Sequence, residues 1–223
     1  MIDKDMADKE YKYFKYGKKE IDYLKAHDPI LGLAMDEIGL IEREITPDLF
    51  EALINSIVGQ QISSKALKTV WARITEKFTP MSPETIASAS ELELQNCGLS
   101  FRKVEYMKLA AKSVIEGSID LNALNLMSDE EVCMHLIQIK GIGRWTAEML
   151  MIFSMQRPDI FSYDDLAIIR GLRMLYHHRK ITPKLFAKYK RRYSPYSSVA
   201  SLYLWAIAGG ACPKMKDYAP SKK

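Results

Sequence analysis

A chain of 223 residues suffices for one large domain or two small ones and can bury a real core. With 48% hydrophobic and 27% charged residues it is globular in composition. Its three cysteines, Cys97, Cys133 and Cys212, are too few and too scattered for a disulfide framework, a Cys-rich zinc site or a four-cysteine iron–sulfur cluster.

The net charge is only +4, yet residues 1–50 hold twelve acids against eight Lys and Arg, whereas 166–216 hold no acid at all. That window carries Arg170, Arg173, Arg179, Lys180, Lys184, Lys188, Lys190, Arg191, Arg192, Lys214 and Lys216. A one-sign tract of this size favours a polyanionic partner over a small neutral ligand; a merely solvated helix face is the competing reading. The N-terminus lacks the apolar stretch of a signal peptide, and the longest apolar run, Val199 to Cys212, is too short to span a bilayer. A cytoplasmic protein with no membrane partner is expected.

Residues 1–20 are charged and aromatic, expected to be mobile until a helix begins near Lys18. Thr46-Pro47-Asp48 reads as a helix start, with Thr46 as N-cap, Pro47 in the first helical position and an acid in the first turn. The helix behind it sets Leu49, Phe50, Leu53, Ile54 and Ile57 on one face and ends near Gly59-Gln60-Gln61-Ile62-Ser63. Another runs from about Ser64 to Phe78. Ser82-Pro83-Glu84 starts a short helix, and the capping box Ser90-Glu91-Leu92-Glu93 starts the next. Residues 101–116 are amphipathic, basic on one side through Arg102, Lys103, Lys108 and Lys112.

Ser128-Asp129-Glu130-Glu131 is a second capping box, opening the helix that enters Gly141-Ile142-Gly143. Trp145 to Met155 is apolar and Met-rich, a stripe read as core filling rather than a cofactor site. After a connector over 156–164, helices run from Asp165 to Tyr176, from Thr182-Pro183 to Arg191-Arg192, and from Ser197 to Ala208. The pattern predicts an all-α fold of roughly ten helices.

The stretch Leu136-Ile137-Gln138-Ile139-Lys140-Gly141-Ile142-Gly143-Arg144-Trp145-Thr146-Ala147 carries the first chemical signal. Two glycines let the chain reverse in few residues, because glycine reaches φ > 0 without a Cβ clash. They leave the N–H groups and dipole of the second helix open to an anion, naturally a phosphate. Such a grip positions a protein on a duplex without reading bases, and an ordinary helix–helix turn is the rival reading.

Taken in order, Gly141-Ile142-Gly143-Arg144-Trp145-Thr146-Ala147 and Phe161-Ser162-Tyr163-Asp164-Asp165-Leu166 resemble the helix-hairpin-helix DNA glycosylase superfamily, and within it the AlkA-type 3-methyladenine DNA glycosylases. Ser56-Ile57-Val58-Gly59-Gln60-Gln61-Ile62-Ser63 is similar to that family's Gly-Gln-Gln segment, and Leu99-Ser100-Phe101-Arg102-Lys103 to its Arg-Lys segment. The likeness covers roughly 45–210. Lys140 stands where the family often has Pro, which adds a charge near the phosphate; Ser162 and Ala167 replace its usual Pro and Gly around the acid. The extra N-terminal β-domain of some AlkA-type members is not expected.

The resemblance implies two helical subdomains flanking a cleft: a central six-helix part over 45–155 ending in the hairpin, and a second built from 1–44 together with 156–223. It implies a monofunctional glycosylase that hydrolyses the N-glycosidic bond of alkylated purines in double-stranded DNA, chiefly 3-methyladenine with 7-methylguanine second, working as a monomer. A non-catalytic hairpin protein that binds or bends DNA is the competing class. The family aspartate falls on Asp165, at the mouth of the cleft, where a carboxylate stabilises positive charge on the sugar and orients water. Of Asp164 and Asp165, one is expected to cap a helix and the other, Asp165, to catalyse.

Trp145 stands where lyase-active members carry lysine, which argues against Schiff-base chemistry and supplies an aromatic wall for an extruded base, pure core being its alternative. Tyr196 is a weaker pocket candidate, and Trp205 is read as core. Gln61 falls at the wedge position with Gln60 beside it; both are expected at the DNA with Lys140, Gly141, Ile142, Gly143, Arg144 and Thr146. No metal-ligand cluster and no cofactor are expected, although the family's hairpin carbonyls leave room for a monovalent cation, here at Gln138, Lys140 or Gly143.

Overall fold

The computed structural model describes residues 12–220, so the first eleven residues of the charged start read over 1–20 lie outside them. The described residues form α1 (Lys18–His27), α2 (Pro29–Ile38), α3 (Leu49–Gly59), α4 (Ser64–Lys77), α5 (Pro83–Ser88) and α6 (Glu91–Asn96). There follow α7 (Phe101–Ile115), a 3-10 turn (Ala123–Leu126), α8 (Asp129–Leu136), α9 (Arg144–Phe153), α10 (Leu166–Tyr176), α11 (Pro183–Tyr193) and α12 (Ser197–Ala208). The only β-type pairing among these residues is one bridge between Tyr13 and Glu44. None of the helices is long and apolar enough to cross a membrane.

Local chemistry sets most starts. Asp28, Asp48, Ser63, Ser82, Ser90, Ser100, Ser128, Asp165 and Thr182 each accept a backbone N–H from the first turn they precede. A cap of this kind is worth about 1 kcal/mol. The start predicted at Thr46 is corrected. The Thr46 N–H donates to Phe153 O, and Asp48 takes the cap by accepting from Glu51 N, so α3 begins at Leu49.

The described residues fall into two compact units. One is Thr46–Met155 and contains seven α-helices, one more than the six implied by the resemblance, with the starts read at Ser82 and Ser90 both present. Its core is built on α3, whose Leu53, Ile54, Ile57 and Val58 are fully buried and which packs on α4, α7 and α9.

The other unit joins the chain up to Ile45 with the chain from Gln156. Its centre is α12, apolar around most of its circumference, with Val199, Ala200, Leu204 and Ile207 buried. Its buried serines are satisfied: Ser197 Oγ and N–H donate to Asp159, Ser198 Oγ to Arg157 O, and Ser201 Oγ to Ser197 O. Against it α10 packs backbone to backbone. A Cβ on Gly171 would lie 2.4 Å from Leu204 O, so only glycine admits this approach. The start of α2 belongs to the same assembly through Asp28, 1% exposed, whose Oδ2 accepts from Tyr176 Oη (2.5 Å) and Arg192 Nη1 (2.7 Å).

Candidate active site

In the Thr46–Met155 unit, α8 runs into the hairpin and α9 leaves it. The turn closes through Ile142 N–H donating to Ile139 O at 2.9 Å. Only one glycine of the pair is left-handed. Gly141 has φ +93, and a Cβ there would lie 2.3 Å from the Tyr106 ring, so two independent constraints demand glycine. Gly143 has φ −93 and ψ 172, ordinary extended backbone, and a Cβ on it would meet nothing within 4 Å. The expectation that both glycines serve the reversal is therefore corrected. Gly143 instead occupies the N-cap of α9 with no side chain to cap it. That helix begins without the Ser, Thr or Asp that most others carry, which leaves its first-turn donors and dipole for an outside anion.

Ile142 is 5% exposed and its N–H is spent inside the turn, so neither its side chain nor its amide is available as a phosphate contact. The two hairpin cations are also engaged. Lys140 Nζ lies 2.6 Å from Glu105 Oε1, while Arg144 reaches Glu130 at 2.9 Å and Glu148 at 3.2 Å. The Lys140–Glu105 and Arg144–Glu130 pairs are exposed and worth about 0–1 kcal/mol, so exchanging either acid for a phosphate costs little, whereas the Glu148 side chain is only 12% exposed and holds Arg144 more firmly. Of the three carbonyls considered for a cation, that of Gly143 accepts the Ala147 N–H and keeps its second lone pair. Among the described residues, no group of three His, Cys, Asp or Glu side chains is placed to hold a metal ion, and all three cysteines are buried.

Beside the hairpin the same unit holds a cavity of about 700 Å³. Gln60, Gln61, Gly141, Trp145 and Thr146 line it with Arg102, Lys103 and Tyr106, so the hairpin, the Gly-Gln-Gln segment and the Arg-Lys segment meet on one surface. Gln60 Nε2–H donates to Gly141 O at 2.8 Å and ties the α3–α4 turn to the hairpin. Gln61, exposed at φ +55, is held in the left-handed region that few non-glycine residues adopt. Lys103 Nζ donates to Val58 O at the end of α3 (2.7 Å), and burial holds its pKa below the ordinary lysine value.

Arg102 Nε donates to Tyr106 Oη (2.5 Å). Tyr106 is a site residue that the motifs do not mark. Its one sequence signal is the spacing of four from Arg102, and its contact with Gly141 is purely tertiary. Trp145 is 47% exposed, which rules out the pure-core alternative for it. The Met-rich stripe divides: Met151 is core, whereas Met149 lines the cavity.

Asp165 belongs to the other unit, at the head of α10, and is 6% exposed. Its Oδ1 accepts the N–H groups of Ala167 and Ile168, each at 2.9 Å, and Nε1–H of Trp205 at 3.1 Å. The expected division of labour between the two aspartates is thereby corrected. Asp165 is itself the N-cap, and Asp164 is exposed. Trp205, read from the sequence as core, is half-buried and fixes this carboxylate from α12. The close approach allowed by Gly171 is what brings the two helices into reach.

Ser162 is fully buried and its Oγ has no hydrogen-bond partner among the described residues, a cost that the proline usual in the family at this position would not incur. Tyr196 lies in the same unit as Asp165, edge-on to Tyr23 at 5.1 Å and beneath Lys19, and does not line the cavity of the other unit.

Residues 54–195 match a model of the HhH-GPD superfamily of base excision DNA repair proteins. DNA-3-methyladenine glycosylase 1 of Schizosaccharomyces pombe is 36% identical over 174 residues, covering 76% of this chain and 74% of that protein. Among solved structures, a DNA-3-methyladenine glycosidase from Bacillus halodurans is similar with a TM-score of 0.81 at 33% identity, over 91% of this chain and 94% of that one. A 3-methyladenine DNA glycosylase of Schizosaccharomyces pombe in complex with abasic DNA is similar with a TM-score of 0.74 at 31% identity, over 86% and 97%.

Proposed function

The chain belongs to the HhH-GPD superfamily of base excision DNA repair proteins, and from that premise we propose how its own residues act. It is an alkylbase DNA glycosylase, an enzyme of DNA repair. Its substrate is double-stranded DNA carrying alkylated purines, 3-methyladenine first and 7-methylguanine second, and its product is an intact strand with an abasic site.

Alkylation at purine N3 or N7 makes the base a cation and a good leaving group, so modest catalytic power suffices. Positive charge then builds on the sugar. The Asp165 carboxylate stabilises it and holds or deprotonates the attacking water. The observation that carries this reading is the way Asp165 is fixed, by three N–H groups drawn from two helices. The uncapped start of α9 grips a backbone phosphate through main-chain donors. No carboxylate lines the cavity of that unit, so a cationic base there is favoured by the ring face of Trp145 rather than by charge pairing. Gln61 is the wedge. The hairpin carbonyls of Gln138, Lys140 and Gly143 can hold a monovalent cation, on which no step depends.

Incubation with methylated DNA is expected to release free 3-methyladenine, with no covalent complex trapped by borohydride because position 145 has no amine. A trapped complex would overturn the monofunctional assignment, and an absence of base release would sink the catalytic one.

The two hairpin glycines separate fold from binding. Gly141→Ala is expected to lower stability by roughly 1–3 kcal/mol, since both the backbone and Tyr106 resist it. Gly143→Ala should cost less than about 1 kcal/mol yet weaken DNA binding, because its Cβ projects where the phosphate sits. Thermal melting and a duplex-binding titration on both variants check this; equal affinity of Gly143→Ala and wild type would remove the phosphate from that site.

A further inference from the structure

The basic tract divides into two kinds of cation. Arg170 and Arg173 face Asp217, at 3.7 and 2.7 Å, and Arg192 faces Asp28. These serve the fold, and Asp217 is held below the ordinary carboxylate pKa chiefly by its hydrogen bonds from Arg173. Helix α11 is different. Phe186, Tyr189 and Tyr193 form its buried face, while Lys184, Lys188 and Arg191 are exposed and pair with no acid among the described residues. At 100° per residue these three cations fall within roughly 60° of arc, opposite the buried face.

Nothing in the fold calls for this stripe. Lys184–Lys188 and Lys188–Arg191 are like-charge pairs at helical spacing, each unfavourable by about 0.2–0.5 kcal/mol. Lys184 stands in the first turn, where the helix dipole favours an acid. Elsewhere the chain relieves such charges at the same spacing, as in Lys18–Asp22, Lys112–Glu116 and Arg144–Glu148. The local field is felt within the protein too: burial, then the charges of Lys188 and His177, holds His178 below its ordinary pKa. A membrane-lying helix would need its apolar face free, and that face is buried.

We propose that the Lys184–Lys188–Arg191 face of α11 is a second contact surface for the phosphates of duplex DNA, carried by a unit other than the hairpin's. From Lys184 to Arg191 the helix rises about 10 Å, over which one strand of B-DNA presents about three phosphates. The surface reads no sequence. It adds affinity along the duplex and leaves the bond cleavage to Asp165, so the inference rests on the glycosylase reading only in naming DNA as the polyanion.

The test is a triple variant, Lys184→Gln, Lys188→Gln and Arg191→Gln, titrated with a short undamaged duplex over a range of salt. The log–log slope is expected to fall by roughly 2 to 3, at about 0.9 per phosphate engaged. Base release at saturating enzyme should be unchanged, and the melting temperature equal to or above wild type because the self-repulsion is gone. A slope that falls by about 0.9 or less overturns the proposal. Should the triple variant misfold, Lys184→Gln with Lys188→Gln serves the same titration, and there a fall of more than about 0.9 is the supporting result and a smaller one the overturning result. A wild-type chain that releases no methylated base would overturn the enzymatic reading while leaving the slope measurement intact.

Discussion

Asp165→Asn is expected to lose base release by about 10²–10⁴-fold while remaining folded. Asparagine caps a helix as well as aspartate does, and its Oδ1 can still accept from Ala167, Ile168 and Trp205. Only the negative charge and the ability to take a proton disappear. Single-turnover release from methylated DNA, measured beside a melting curve, separates the two properties. A variant as active as wild type would remove Asp165 from the chemistry. Trp205→Phe makes a companion measurement. It removes one N–H donor and keeps the charge, so the loss should be smaller, on the order of ten- to a hundredfold, and should fall on kcat more than on KM. A Trp205→Phe variant altered only in KM would instead make the indole a substrate contact and not a positioning residue.

Asp28→Ala is expected to be the most damaging single change to stability, about 3–5 kcal/mol. It strips the cap of α2 and leaves Tyr176 and Arg192 facing a buried gap, so α1 and α2 lose their polar tie to α10 and α11. For a chain of this length the melting point should drop on the order of 10 °C. The double variant Asp28→Ala with Arg192→Met should recover part of that loss, because the unpaired charge is gone. No recovery would mean that the pair is not the source of the stability.

The same cluster predicts behaviour at high pH. Burial pushes Tyr176 and Tyr193, which share a hydrogen bond at 2.6 Å, well above the ordinary tyrosine pKa. Their contribution is full below about pH 10 and is lost as pH rises further, because the unfolded chain then releases protons that the folded chain retains.

How far each feature is legible in the sequence follows from how local its cause is. The starts at Ser82, Ser90, Ser128 and Thr182 can be read because the capping group and the amide it serves lie three residues apart. Helix α2 carries the same kind of signal in Asp28-Pro29, where the Asp28 side chain accepts from Leu31 N. Thr46 misleads because Asp48, two residues on, is the residue whose side chain accepts from the first turn, while Thr46 stays outside the helix with its N–H donating to Phe153 O. The two glycines of the hairpin look alike in sequence, and the left-handed φ of Gly141 together with the Tyr106 ring against it distinguishes them.

By itself the sequence determined the all-helical class, the hairpin, the excess of cations after residue 165 and, through four ordered motifs, the candidates Trp145 and Asp165. These depend on neighbours within a turn or two of helix, or on residue type alone. Only the tertiary structure decided what each candidate is bonded to. It made Asp165 cap and candidate catalyst at once and brought Trp205 to it. It turned Lys140 and Arg144 onto acids, and it separated the cations that brace the fold from the three on α11 that do not. Those outcomes hang on contacts between distant segments, and a hydrogen bond of about 3 Å leaves no trace in the spacing of residues along the chain.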